Sequence, residues 1–316
     1  MELLSIVVPC FNEEEVIETT YDQLRLTLSE LNMDTEIIFV NDGSQDNTMS
    51  ILKNLAKQFE NVKIISFSRN FGHQIAITAG MDYAQGSAIV VIDADLQDPA
   101  EVILAMVEKW KQGFEVVYGK RIERKGENIF KKASAKIFYR VLQKLTDESM
   151  PTDVGDFRLI DRKVSDALKE MPERSRYVRG LVAWLGFKTA SVEFVRKPRF
   201  AGKTKYSFAK MIKLALDGIF SFSYKPLKIA TFLGGMISLM SLFYLLFVVQ
   251  QRIFTNNTIS GWASIMAVLL FLSGTILIVL GIIGEYIARI YEEVKARPIY
   301  VVEDLVGIDP QVVVSR

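Results

Sequence analysis

Apolar residues gather in short unbroken runs over the first 121 positions: LSIVVP at 4–9, EIIFVN at 36–41, VKIISFS at 62–68, AIVVID at 88–93 and EVVYGKR at 115–121. None alternates apolar with polar, which is the pattern of strands covered on both faces. Between them the spacing turns helical. Ile17, Tyr21, Leu24, Leu28 and Leu31 recur at three and four residues, and helices are predicted over about 46–59 and 73–85. A further helix is predicted after Asp98 as cap, with Pro99 at its first position, Glu101 three residues after the cap and Gly113 at its end. Strands alternating with helices predict an α/β fold, a parallel sheet with helices on both faces.

Farther along, the pattern changes. Residues 229–249 and 262–283 contain no charge, and each run matches the roughly 20 residues a helix needs to cross a bilayer. Basic residues, among them Arg196, Lys197, Arg199, Lys203, Lys205, Lys225 and Lys228, precede the first run, while the stretch between the runs carries only Arg252. The positive-inside rule then predicts an integral membrane protein of two spans with both termini and the soluble domain in the cytosol, as in a bacterial inner membrane. The expected organisation is a soluble domain over 1–200, an interfacial linker over 201–227, a two-helix anchor over 228–284 and a cytosolic tail over 285–316. Residues 129–145 place Ile129, Phe130, Ile137 and Val141 on one helical face and Lys131, Lys132, Arg140 and Lys144 on the other, a pattern suited to an anionic lipid surface and equally to a packed surface helix. Residues 206–224 read as a second interfacial helix. Gly234, Gly235, Gly274, Gly281 and Gly284 permit close helix packing, hence a homo-oligomer formed through the spans.

Composition narrows the chemistry. With 38 Lys+Arg against 37 Asp+Glu, bulk charge offers nothing to a nucleic acid. One cysteine, Cys10, excludes an internal disulfide framework, and one histidine, His73, excludes a multi-histidine zinc site. The start, MELLSIVVPCFNEEE, has no signal-peptide pattern. No G-x-G-x-x-G follows a strand and there is no P-loop.

Ligands of such sheets bind beyond the carboxyl ends of the strands. Those ends read CFNEEE, NDGSQD, SRNFGH and DADLQD, and they are expected to converge on one crevice. Residues two apart on a strand share a side, so Asp93 and Asp95 project together while Ala94 points away. Two close carboxylates suit a hard divalent ion, Mg²⁺ or Mn²⁺, to which Gln97 can add a carbonyl oxygen. The same pair is also compatible with solvated turn residues. Asp42 with Gly43 and Ser44 suits a base or ribose, or a plain turn capped by Ser44 or Asp46. Asn12 and Glu13 suit a ligand or a helix start. Arg69 suits a diphosphate or the surface. His73 is expected at a helix start, packed against its loop.

The segments SIVVPCFNEEE, VNDGSQDNT, SRNFGHQIAITAGMDYAQG, VIDADLQDPAE, VGDFRLIDRKV, YVRGLVAWLGF and RFAGKTKYSFAKMIKLALDGIFSFS resemble the dolichol-phosphate-mannose-synthase-like branch of glycosyltransferase family 2. The two C-terminal spans resemble its membrane-anchored polyprenyl-phosphate glycosyltransferases. The resemblance implies a GT-A fold, Rossmann-like with a mostly parallel sheet. It implies that Pro9, Phe11, Asn12, Glu13, Asp42 and Arg69 line the nucleotide pocket, with Asp93 and Ala94 adjoining the nucleotide sugar. Asp93, Asp95 and Gln97 would hold Mg²⁺ or Mn²⁺. Asp95, Asp156 and Arg121 would be catalytic, Asp156 as an acceptor-side acid that mainly positions the acceptor or arginine partners. Arg121, Arg124, Arg199, Lys203 and Lys205 would receive the acceptor phosphate. No Q-x-x-R-W motif is present, and RYVRG stands in the comparable region, so the resemblance implies transfer of a single sugar. The implied reaction moves one hexose, glucose in preference, from a nucleotide sugar to a polyprenyl phosphate at the bilayer, with inversion. GDP-mannose as donor, another lipid acceptor, or an inactive nucleotide-sugar-binding scaffold are the alternatives.

Overall fold

The structure, a computed structural model, describes residues 2–122, 154–174, 176–196, 224–255 and 261–309. The chain forms two units, of which one comprises residues 1–140, 148–214 and 297–316 and the other residues 141–147 and 215–296.

The first unit is built on one eight-stranded sheet. In chain order its elements are β1 (Leu3–Cys10), α1 (Ile17–Leu28), β2 (Asp34–Asn41), α2 (Thr48–Gln58), β3 (Val62–Phe67), α3 (His73–Tyr83), β4 (Ala88–Val91), α4 (Val102–Lys111), β5 (Val116–Arg121), β6 (Val154–Asp161), α5 (Arg162–Lys169), α6 (Val178–Trp184), β7 (Thr189–Phe194) and β8 (Val302–Val306). The strands lie in the order β7-β5-β6-β4-β1-β2-β3-β8. β1 pairs in parallel with both β2 and β4, β2 with β3, and β5 with β7. The sheet is mostly parallel, as expected, with two antiparallel strands that the sequence did not locate. β6 runs antiparallel between β4 and β5, and β8 runs antiparallel along β3.

The unbroken apolar runs are explained by burial on both faces. Ile6, Val7, Val8, Ile37, Ile38, Phe39, Ile64, Ile65, Ile89 and Val90 are all fully buried, and each contributes roughly 1.5–3 kcal/mol on leaving water. Cys10, at the end of β1, is buried with its thiol directed at the Val40 carbonyl at 3.4 Å, and burial pushes that thiol well above its ordinary pKa. The region 302–306, expected to be part of a tail, supplies β8 because the free edge of β3 offers it a ladder partner.

The second unit holds α7 (Lys225–Thr255) and α8 (Trp262–Val294), which pack on each other. Apolar side chains such as Phe232, Phe243, Leu277 and Ile278 are more than 60% exposed. Two stretches, Lys225–Gln250 and Val268–Val294, are long and apolar enough to cross a membrane. Helices with no polar face are at home in lipid. Both helices run past the uncharged stretches that predicted them. The amphipathic 129–145 and almost all of the interfacial 206–224 lie outside the described residues.

Candidate active site

The carboxyl ends of β1 to β4 do come together, and hydrogen bonds between the loops show how. The Asn12 amide donates to Ser44 Oγ at 2.9 Å, and Asn12 Oδ1 accepts from the Gln45 amide at 2.8 Å. The Glu13 amide donates to Thr48 Oγ1 at 2.9 Å. Asp46, one residue before the Asn47 cap position of α2, accepts from the Thr48 amide at 3.0 Å. Asp42, buried at the end of β2, accepts from the amides of Phe71 at 2.6 Å and Gly72 at 3.0 Å. It therefore holds the loop after β3, a task that its place in an acidic turn did not reveal. Gly43 beside it has φ +67°, and a Cβ there would lie 2.5 Å from the Arg69 carbonyl carbon. Only glycine fits both the left-handed backbone and that contact.

β4 ends at Val91 with all of its residues buried, and an alternation of exposure begins beyond it: Asp93, Asp95 and Gln97 are half-buried, while Ala94, Leu96 and Asp98 are buried. Thr20 Oγ1 on α1 anchors the segment by donating to the Ala94 carbonyl at 2.8 Å. Leu96 is turned inward with φ +57°, a conformation that non-glycine residues seldom adopt and that recurs at working sites. The Gln97 amide donates to Asp95 Oδ1 at 3.2 Å.

Asp98 is not the helix cap. α4 starts later, with Glu101 at its cap position, and bonds such as Val102 N–H to the Pro99 carbonyl at 3.2 Å fill the intervening turn. The Asp98 side chain is 0% exposed and meets Arg121 Nη2 at 3.3 Å and Arg196 Nε at 3.7 Å. Two cations across the sheet outcompete the local capping geometry. Arg121 lies where it does because Gly155 has no side chain; a Cβ there would sit 2.7 Å from Arg121 Nη2.

His73, the first residue of α3, stands between two acids: its Nε2 lies 3.4 Å from Asp93 Oδ1 and 3.4 Å from Asp156 Oδ2. Burial opposes its protonation, but the bond to Asp156 and the charge of Asp93 overcome this and raise its pKa to about 9. Burial also raises the pKa of Asp93, with Asp156 and Asp95 adding to the rise. Asp156, on β6, accepts from Arg158 Nη2 at 2.9 Å, from Arg179 Nε and Nη2 at 2.9 and 2.8 Å, and from Gln74 Nε2 at 3.2 Å. Burial would raise its pKa, but Arg179, His73 and Arg158 hold it well below the usual carboxylate range. A cavity of about 230 Å³ opens beside this cluster, lined by Phe71, His73, Gln74, Asp156, Tyr177 and Arg179.

In EDTA, the raised pKa of His73 has a stability consequence. Its contribution is complete below the unfolded value near 6.5 and is lost as pH rises through about 9. The side chain is 37% exposed, so water screens part of the effect. The parent protein is expected to lose thermal midpoint between pH 6.5 and 9, and His73→Gln to flatten that fall. Parallel curves for the two proteins contradict this.

The chain matches Glycosyl transferase family 2 over residues 5–169 and the GtrB C-terminal hairpin over residues 225–290. It belongs to glycosyltransferase family 2. An uncharacterized glycosyltransferase, YkcC of Bacillus subtilis, is 55% identical over 305 residues, spanning 96% of this chain and 94% of that one. A prophage bactoprenol glucosyl transferase homolog of Escherichia coli is 42% identical, covering 95% and 98%. The bactoprenol glucosyl transferase of Shigella phage SfII is 41% identical, covering 95% and 97%. Among solved structures, a mannosyltransferase of Pyrobaculum calidifontis in complex with GDP-Man and Mn²⁺ is 20% identical, covers 70% of this chain and 63% of that one, and has a TM-score of 0.49.

In this glycosyltransferase the sheet gathers Phe11, Asn12, Glu13, Asp42, Arg69, Asp93, Asp95, Gln97, Arg121 and Asp156 toward the same end of the domain. Pro9 is buried in β1 opposite Val40, and Ala94 faces the core. Arg69 is exposed, with its guanidinium 4.1 Å above the Phe71 ring. Arg124, Arg199, Lys203 and Lys205 lie outside the described residues. Sequence reasoning missed Arg158 and Arg179 as partners of Asp156. Arg158 alternates with Asp156 on one face of β6, a spacing that local reading can find; Arg179, within RYVRG, reaches it from α6, and no local signal connects the two.

Proposed function

We propose that the enzyme transfers a single hexose, glucose in preference, from a nucleoside-diphosphate sugar to a polyprenyl phosphate at the cytosolic face of the membrane, with inversion at the anomeric carbon. The observation that carries this reading is the union in one chain of the carboxylate crevice with the two-helix hairpin, in an arrangement that matches relatives named bactoprenol glucosyl transferase across 95% of its length. The basic flank before α7, including Arg196, Lys225 and Lys228, against Arg252 alone between the helices, supports the cytosolic placement.

The donor set suits a hard cation. Asp93 Oδ1 is buried and makes no hydrogen bond among the described residues, its contact with His73 Nε2 being an ionic one at 3.4 Å. Burial together with the neighbouring carboxylates of Asp156 and Asp95 raises its pKa, a penalty that a bound cation would relieve. No group of three or more His, Cys, Asp or Glu side chains among the described residues is arranged to hold a metal alone, which is compatible with a site completed by donor phosphates. Asp93, Asp95 and Gln97 would hold Mg²⁺ or Mn²⁺. When bound, such an ion neutralises charge developing on a diphosphate leaving group.

The remaining steps fall to the chain. Arg69, Asn12 and Asp42 with its tethered loop form the nucleotide side. Arg121, steadied by Asp98, offers a guanidinium to a phosphate. A phosphate monoester acceptor is largely dianionic at neutral pH, its second pKa being about 6, so attack requires little base assistance. Asp156, ionised and enclosed by two arginines, suits the positioning of Arg179 at the cavity better than proton removal.

The test is transfer by purified membranes from radiolabelled UDP-glucose, GDP-mannose and other nucleotide sugars, with and without polyprenyl phosphate and Mg²⁺ or Mn²⁺. Label from UDP-glucose is expected in a lipid-extractable product that requires both additions. Label from GDP-mannose alone overturns the choice of glucose. A lipid product from no donor overturns the reading as a whole.

A further inference from the structure

The loop joining β3 to α3, residues 68–72, carries the donor side of the site. It bears Arg69, presents the Phe71 and Gly72 amides to Asp42 and delivers His73 to Asp93. What holds this loop from the opposite side comes from the far end of the chain. The Tyr300 ring stacks on Phe67, the last residue of β3, with centroids 5.2 Å apart and planes at 18°. Phe67 in turn meets Phe71 edge-on at 5.6 Å and 84°. The Tyr300 hydroxyl donates to Asp82 Oδ2 on α3 at 3.2 Å, and Asp82 is 4% exposed. The Ser68 amide donates to the Val301 carbonyl at 3.1 Å. β8 then continues along β3, secured by Lys53 Nζ on Asp304 Oδ2 at 2.7 Å.

Residues 300 and 301 thus touch the strand before the loop, the helix after it and the first residue of the loop itself. We infer that Tyr300 is a positioning residue for nucleotide-sugar binding, acting through Phe67 and Phe71 on the 68–72 loop and through Asp82 on α3. The inference rests on the nucleotide-sugar reading above. A brace of this kind sets how often the loop is competent to bind, so its loss weakens donor affinity and leaves acceptor affinity and the chemical step alone. The ring carries the larger share, because the stack reaches Phe71 through the single intermediary Phe67, while the hydroxyl bond acts at the far end of α3.

The experiment uses the full chain in detergent or membranes, with Tyr300→Leu and Tyr300→Phe. Tyr300→Leu is expected to raise the donor KM and the Kd for UDP or GDP, whichever the parent binds, by about ten-fold, which is about 1.4 kcal/mol. The acceptor KM and kcat should stay within about two-fold of the parent. Tyr300→Phe keeps the ring and should restore donor KM to within about two-fold. Hydrogen exchange supplies a readout independent of turnover: amides 68–72 should exchange faster in Tyr300→Leu and regain protection when the nucleotide is added. A double-mutant cycle with Phe71→Leu should give a donor KM effect smaller than the product of the single effects. Unchanged donor KM, nucleotide affinity and loop exchange in Tyr300→Leu overturn the inference, as does a fall in kcat at unchanged KM, the mark of a merely structural side chain. A parent protein that binds neither UDP nor GDP overturns the nucleotide-sugar reading and this inference together.

Discussion

Asp95→Ala is expected to lower sugar transfer by about 10³-fold or more, the loss that follows when about 4 kcal/mol of electrostatic stabilisation leaves a transition state. Asp95 sits half-buried on the same face as Asp93, and Leu96 at φ +57° turns the chain so that the Gln97 amide meets the Asp95 carboxylate. The variant keeps the backbone of β4 and the core packing of Ala94 and Leu96, so folding should survive. Initial rates at saturating donor, over a titration of Mg²⁺ and Mn²⁺, are the measurement, accompanied by Mn²⁺ binding followed by electron paramagnetic resonance. Gln97→Ala removes a neutral oxygen instead of a charged one and should cost less. Turnover of Asp95→Ala close to that of the parent, in either metal, sinks the assignment of this carboxylate.

Asp156→Asn is expected to damage stability as well as rate. Arg158 is 1% exposed and relies on Asp156 Oδ1 at 2.9 Å. Leaving a buried cation without its counter-charge costs about 3–5 kcal/mol. Asparagine retains the shape and one oxygen, so the loss reports charge and not packing. Asp156 has a depressed pKa, so its stabilising contribution is present above the unfolded value near 3.9 and is lost as pH falls through the folded one. Parent and variant should therefore differ most at neutral pH and converge in strong acid. Thermal unfolding of the catalytic domain between pH 3 and 7 checks this. A constant difference across that range contradicts the ionised, arginine-bound state. In the transfer assay, a variant whose kcat falls while the pH profile of kcat keeps its shape supports positioning. A lost titration limb identifies Asp156 as a base.

Much of the fold was legible because burial on both faces leaves a blunt mark. The runs around Ile6, Ile37, Ile64 and Ile89 needed no partner to be recognised, and the helical repeat of Ile17, Tyr21 and Leu24 was equally plain. β8 was not legible: its sequence, VEDLV, has two acids in five residues, and only the exposed edge of β3 makes it a strand. The orientation of β6 was hidden for the same reason, since antiparallel pairing with β4 and β5 is a property of the chain's path. The site shows the same divide. The shared side of Asp93, Asp95 and Gln97 beyond the end of β4 was legible from their spacing. Asp98 followed by Pro99 and Glu101 satisfies every local rule for a helix start, yet Arg121, Arg196 and full burial assign it elsewhere. Arg179 reaches Asp156 across 23 residues, and no periodicity records such a meeting.

The lone cysteine has a practical consequence. With Cys10 buried and its thiol held protonated, the native protein offers maleimide reagents almost no nucleophile. A cysteine introduced at Thr258, between the two long helices, would be the only reactive thiol without any change to Cys10. Membrane-impermeant labelling of that site in intact cells, set against labelling in lysates, would map which side of the bilayer the connection occupies.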